Sequence, residues 1–328
     1  DKLNLYYVEK QIVNFLIGLA AFLVFLVIDY KTFRYLIKYA YVGCLLLLVL
    51  IFATDKVKGI TGWFKLDFID RALQPGELCK ICIIIALSKY VSACMDKEGR
   101  FGGFVYIIKT TVICLIPTIL VMMQPDFGTA FVYICIMVFI YFIGRVSWGY
   151  IAAAAGAVAT GLPIAYFFLI QVFLNPELDL QGAGYNVAQS KIAIGSGELW
   201  GKGYFTEGTL AQLRFVPERH TDFIFAGIVE GLGFIGGTVL ILLFFALIFR
   251  WVYIAIKTKD SFGACLVIGV TGMLTAHVFE NIGMTIGLMP VTGIPLPFIS
   301  YGGSNLLTNM IGVGIVENVW MRQPAKKR

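Results

Sequence analysis

Stretches of about twenty almost wholly apolar residues recur along this chain from one end to the other, and they constrain its fold more than any other feature. A helix of that length matches the hydrocarbon thickness of a bilayer, and it satisfies its own backbone where no water is present to do so. Of the 328 residues, 59% are hydrophobic and only 14% charged, where a soluble domain carries about 25%. The fold class is therefore all-α: a polytopic transmembrane helical bundle. Disorder, a disulfide-stapled secreted module, a coiled coil and a nucleic-acid-binding domain are excluded. The excess of 26 Lys+Arg over 20 Asp+Glu bears first on topology and on anionic membrane lipid.

Nine spans are expected, at roughly 12–28, 35–53, 77–95, 104–123, 127–144, 150–173, 222–249, 262–287 and 304–320. Every second connection is short and basic, carrying Lys31, Arg34, Lys97, Arg100, Arg145, Arg250, Lys257 and Lys259, and the tail adds Arg322, Lys326, Lys327 and Arg328. The positive-inside bias puts these segments and the C-terminus in the cytoplasm. The outer face then holds loop 54–76, the turn around Gln124-Pro125-Asp126, a large folded loop 174–221, and loop 288–303. An odd span count with the C-terminus inside leaves Asp1 outside, so one further N-terminal span is expected to be missing. No internal repeat or low-complexity segment divides the chain, and residues 1–328 read as one membrane domain.

Cysteine and histidine carry little. The seven cysteines all lie in apolar runs, and the single C-x-x-C of Cys79 and Cys82 sits in a membrane span, where small buried thiols are the plain reading. His220 and His277 alone cannot build a multi-histidine metal centre.

The outer loops are unusually cationic for their side, with Lys56, Lys58, Lys65 and Arg71 in one and Lys191, Lys202, Arg214 and Arg219 in another. They are either solvated cations on a folded cap or a site for an anionic, phosphorylated substrate. Within the spans, Glu77 and Lys80 stand three apart on one helical face, as a self-neutralising pair or as a pair offering an ammonium to an anion. Asp126, after Pro125, suits an N-cap for the next helix or an active-site carboxylate. The densest polar segment, Phe215 to Phe223, holds Glu218, Arg219, His220, Thr221 and Asp222 and abuts a long apolar helix. Thr221 or Asp222 would be an N-cap there. Asp222 is a competent general base only if desolvation outweighs the helix dipole. Loop 290–303, rich in Gly and Pro yet apolar, must pack against protein or line a cavity, where Ser300 and Tyr301 could shape a polar site.

Five segments together resemble the SEDS family (shape, elongation, division and sporulation), polytopic peptidoglycan polymerases. They are Gln74 to Lys80, Gln124 to Ala130, Gln189 to Gly197, Pro217 to Phe225, and Asn281 through Ser304, in the family's order. The details around Lys191, Gly201 to Gly203 and Ala211 look more like the elongation member than the division member. The resemblance implies a ten-helix fold and glycosyl transfer on lipid II and a growing lipid-linked glycan strand at the outer leaflet. It also implies a class B penicillin-binding transpeptidase as partner. It makes Asp222 the catalytic residue and points to Glu77, Lys80 and Asp126 as site residues. Gly76, Gly62, Glu198 and Glu280 depart from the family's usual residues.

The implied reaction displaces a lipid diphosphate by the 4-hydroxyl of the sugar on lipid II. A hydroxyl needs a base, while a diphosphate leaves unprotonated where cations stabilise it. Asp222 would be the base. Lys80, Lys191 and Arg219 are the candidate diphosphate partners, and Glu77 would orient Lys80. Asp126, Glu218 and Ser300 complete the substrate-binding set. A divalent cation, Mg or Mn, could share the diphosphate charge, although no ligand cluster in the sequence identifies it; no other cofactor is expected. A lipid II flippase is the main rival, since intramembrane charges and broken loops suit a transporter too. A structural scaffold for the transpeptidase is the third reading.

Overall fold

The protein is described from a computed structural model, which places residues 6–53, 62–66, 71–146, 149–150, 183–203, 218 and 220–323. Its helices are α1 (Tyr6–Val27), α2 (Tyr30–Leu50), α3 (Pro75–Glu98), α4 (Phe104–Met122), α5 (Phe127–Ile143), α6 (Ala183–Ser196), α7 (Ile224–Lys257), α8 (Ser261–Thr285) and α9 (Gly303–Met321). Eight of the nine expected spans coincide with one of these helices, and the ninth, 150–173, lies outside the described residues from 151 onward. Six of the helices are long and apolar enough to cross a membrane, and α5 is a shorter apolar one. The chain is a multi-pass membrane protein.

Two of the connecting loops hold more structure than their composition suggests. In place of an unbroken loop 54–76, an antiparallel pair, β1 (Phe64–Leu66) with β2 (Arg71–Leu73), lies just before α3. Part of loop 174–221 is α6. Helix α7 runs to Lys257 rather than stopping near 249, because Trp251, Ile254 and Ala255 are buried on one face at helical spacing.

The chain divides into two compact units: Asp1–Val146 with Ile248–Ala276 and Gly302–Arg328, and Ser147–Leu247 with His277–Tyr301. In the first, α1 and α9 approach closely through small residues. An added methyl at Gly18 would sit 3.1 Å from Met310, and one at Gly314 would sit 2.9 Å from the Phe22 carbonyl. At the end of α1 the carbonyls that lack intrahelical partners are collected from α9. The Asn318 amide donates to Phe25, Leu26 and Ile28, and the Arg322 guanidinium donates to Val27 at 2.6 Å. Helix α3 starts on Pro75, which forfeits no helical bond at that position, and is buried along most of its length.

In the second unit α7 is broken at Gly233, which has φ 72°. A break leaves backbone N–H and C=O groups that hydrocarbon cannot satisfy, and the segment after α6 supplies partners for four of them. Lys202 and Gly203 donate their N–H groups to the carbonyls of Glu230 and Gly231 at 2.9 and 3.0 Å. Phe234 and Ile235 donate to the carbonyls of Glu198 and Leu199 at 2.8 and 3.2 Å. The approach leaves no room for a side chain at Gly201, whose added Cβ would meet the Gly231 carbonyl, nor at Gly233, whose added Cβ would meet that of Leu199.

Candidate active site

In the second unit the polar segment before α7 is held by its backbone. Three successive carbonyls each accept one hydrogen bond: His220 from the Tyr301 N–H at 2.8 Å, Thr221 from the Ser300 hydroxyl, and Asp222 from the Asn281 amide at 2.7 Å. Helix α7 begins at Ile224, so Phe223 separates Asp222 from it, and the expected N-cap does not form through Thr221. The Thr221 hydroxyl turns back instead to the Glu218 carbonyl and carboxylate, at 3.3 and 3.2 Å. Glu218 is exposed, with φ 51°, and its carbonyl also accepts the N–H groups of Thr221 and Phe223. The turn so formed leaves Asp222 half-buried. Its Oδ2 lies 3.5 Å from where a side chain at Gly293 would begin, an ordinary van der Waals distance, so the Gly293 backbone faces the carboxylate.

Helix α6 packs beside this segment. Val187 and Ala193 share a buried apolar cluster with Phe223 and Ala226, and Val291 packs on it. The Ser190 hydroxyl donates to the Thr285 carbonyl at 2.8 Å, tying α6 to the end of α8. Lys191 is exposed, and its stem lies against Gly287, which lacks the Cβ that would collide with it. Ser300 is buried, and its oxygen both donates to Thr221 and accepts from the Leu296 N–H at 2.8 Å. Arg219 lies outside the described residues.

In the first unit Glu77 and Lys80 form an ion pair of 2.7 Å, with Glu77 2% and Lys80 0% exposed. Glu77 Oε2 has no hydrogen-bond partner among the described residues. Asp126 caps α5, its Oδ1 accepting from the Thr129 N–H at 3.0 Å, while its Oδ2 accepts from the Gln74 amide at 2.8 Å. Gln74 is the residue before α3, and its own N–H donates to Ser304 at 3.1 Å. The Tyr133 hydroxyl donates to the Gly76 carbonyl at 2.8 Å, and an added methyl at Gly76 would lie 3.6 Å from that hydroxyl. Glu77, Lys80 and Asp126 thus stand together at the starts of α3 and α5, and both oxygens of Asp126 are engaged within the protein.

The family model for FtsW, RodA and SpoVE, described as cell cycle protein, matches residues 2–324. The chain belongs to this family. Among its relatives, peptidoglycan glycosyltransferase MrdB of Escherichia coli (strain K12) is 38% identical over 322 residues, covering 95% of this chain and 85% of that protein. A chain from a structure describing coordination of polymerization and crosslinking by a peptidoglycan synthase complex superposes with TM-score 0.81 at 25% identity, over 97% of this chain and 90% of that one. The rod shape determining protein RodA of Thermus thermophilus superposes with TM-score 0.72 at 27% identity, over 98% and 89%.

For this family member, sequence reasoning gave no role to Asn281, which is wholly buried and holds the carbonyls of both Asp222 and Ile294. Its signal is an amide inside an apolar helix, which carries no charge and so stands out less than the ionisable groups of the spans. Glu230, 1% exposed beside the break in α7, was missed although it is ionisable. Among the described residues no three His, Cys, Asp or Glu side chains come together as a metal cage. A magnesium-like ion needs none when substrate phosphates and water supply most of its ligands.

Proposed function

We propose that this chain is a peptidoglycan glycosyltransferase that polymerises lipid II into glycan strands at the outer face of the cytoplasmic membrane, with Asp222 as general base. The observation that carries the reading is the setting of Asp222: a carboxylate fixed at the mouth of a membrane helix, half-buried, with glycine backbone before one of its oxygens. A carboxylate so placed can take the proton of a sugar hydroxyl as that oxygen attacks the anomeric carbon, a contribution of about 10²–10⁴-fold. The electron pair of the broken bond leaves on the diphosphate, which needs cations and no acid. Lys191, exposed on α6 beside this segment, and Arg219 are the proposed partners of that charge.

Membership of a family whose relatives include a named peptidoglycan glycosyltransferase and a rod shape determining protein supports a role in elongation. The likeness to a chain of a polymerising and crosslinking complex supports a transpeptidase of the penicillin-binding class as partner. The basic residues at the ends of α3 and α7 and in the segment after α9 support a cytoplasmic C-terminus.

Reconstitution in vesicles carrying lipid II separates enzyme from transporter. Polymer on a gel, increased by adding the transpeptidase, is the expected result. Precursor crossing the bilayer with no polymer formed would replace the reading with that of a flippase.

A further inference from the structure

We infer that Asn281 and Ser300 are positioning residues that aim the Asp222 carboxylate by holding its backbone; the inference rests on Asp222 being the base. The segment that carries Asp222 lies outside helix α7, where no intrahelical ladder fixes it. What fixes it is a row of donors. Ser300 reaches the carbonyl of Thr221 and Asn281 that of Asp222, while the Tyr301 N–H holds that of His220.

Each of the two side chains also holds the opposite wall. The Asn281 amide donates to Ile294 at 2.7 Å, the same distance at which it holds Asp222. The Ser300 oxygen accepts from the Leu296 N–H at 2.8 Å while donating to Thr221. Ile294 follows Gly293, the residue whose backbone faces Asp222 Oδ2. The base and the backbone in front of it are therefore tied to the same two side chains, and the gap between them is set by one amide and one hydroxyl.

The amide is committed to this task at a cost. Asn281 is 0% exposed, and its Oδ1 is buried without a hydrogen-bond partner among the described residues. A group left unsatisfied in this way is uncommon in folded proteins and asks for an explanation. Placing the two N–H donors on Asp222 and Ile294 leaves the carbonyl end of the amide facing protein, so the orphan oxygen follows from the geometry of the clamp. A general base must stand within hydrogen-bond reach of the proton it takes, and a displacement of about 1 Å can cost on the order of a hundredfold in rate. Substrate contact is not required of either side chain, since both are buried.

The test uses the full chain in lipid nanodiscs with purified lipid II, comparing Asn281→Ala, Ser300→Ala, Ser300→Thr and Asp222→Asn. The alanine variants are expected to lose about tenfold or more in kcat with KM within about twofold of the parent. Ser300→Thr, which keeps the hydroxyl, should recover most of the loss. Turnover is counted per folded molecule after gel filtration, so a loss of stability alone leaves kcat unmoved. Should Asn281→Ala fail to fold, the Ser300 pair decides. An inactive Asp222→Asn beside alanine variants that turn over like the parent would overturn the clamp alone. An Asp222→Asn variant that polymerises normally would overturn the base and the clamp together.

Discussion

Stranding one member of the Glu77–Lys80 pair should cost far more than removing both. The ions stand 2.7 Å apart with side chains 3% and 0% exposed. At an effective dielectric of about 20, unit charges that close attract by roughly 6 kcal/mol, and the desolvation of two ions offsets most or all of it. The pair as a whole is then worth little. Removing one member is a different matter: breaking a buried ion pair from one side costs about 3–5 kcal/mol, a large share of a typical folding free energy of about 5–15 kcal/mol. Glu77→Met and Lys80→Met should each lose that amount in equilibrium unfolding in detergent, followed by circular dichroism. The double variant should lie near the parent or above it. Single variants within about 0.5 kcal/mol of the parent, or a double variant as unstable as the sum of the singles, would refute the reasoning. The same double variant, once folded, also reads out function. A self-neutralising pair predicts parental polymerisation, whereas a Lys80 that serves the diphosphate predicts a loss of about tenfold or more.

The break in α7 gives a second prediction. Gly201→Ala puts a methyl against the Gly231 carbonyl at a residue with φ 81° and displaces the bonds from Lys202 and Gly203. With about 1–2 kcal/mol for the backbone conformation and about 1–3 for each buried group left unsatisfied, the loss should reach several kcal/mol. A thermal unfolding midpoint in detergent equal to the parent's would contradict it. For the diphosphate, Lys191→Ala should slow polymerisation by about tenfold or more without unfolding the protein. Unchanged kinetics would leave Lys191 a surface cation on α6.

The spans were legible because the bilayer permits so little else: an apolar run of sufficient length must be a helix. The extension of α7 past 249 was hidden because Arg250 and Lys257 cut the hydropathy, while the buried positions Trp251, Ile254 and Ala255 are spaced for a helix. The break at Gly233 was hidden for a deeper reason. A glycine inside a helical pattern is usually tolerated, and what makes this one a break is a set of backbone groups near residue 200. Asp222 stood out by the density of polar residues around it. The side chains that hold it did not, because Asn281 and Ser300 act on its segment from 59 and 79 positions away, and no local pattern records a contact of that range.

In the proposed reaction the Asp222 carboxylate takes the proton of the attacking sugar hydroxyl. Asp222→Asn keeps the size and shape of the side chain and removes its basicity, so the backbone bonds to His220, Thr221 and Asp222 should survive. Purified and assayed with lipid II and the partner transpeptidase, the variant is predicted to fold as the parent does and to yield no glycan polymer. Polymer of parental length and amount from the folded variant would contradict the account.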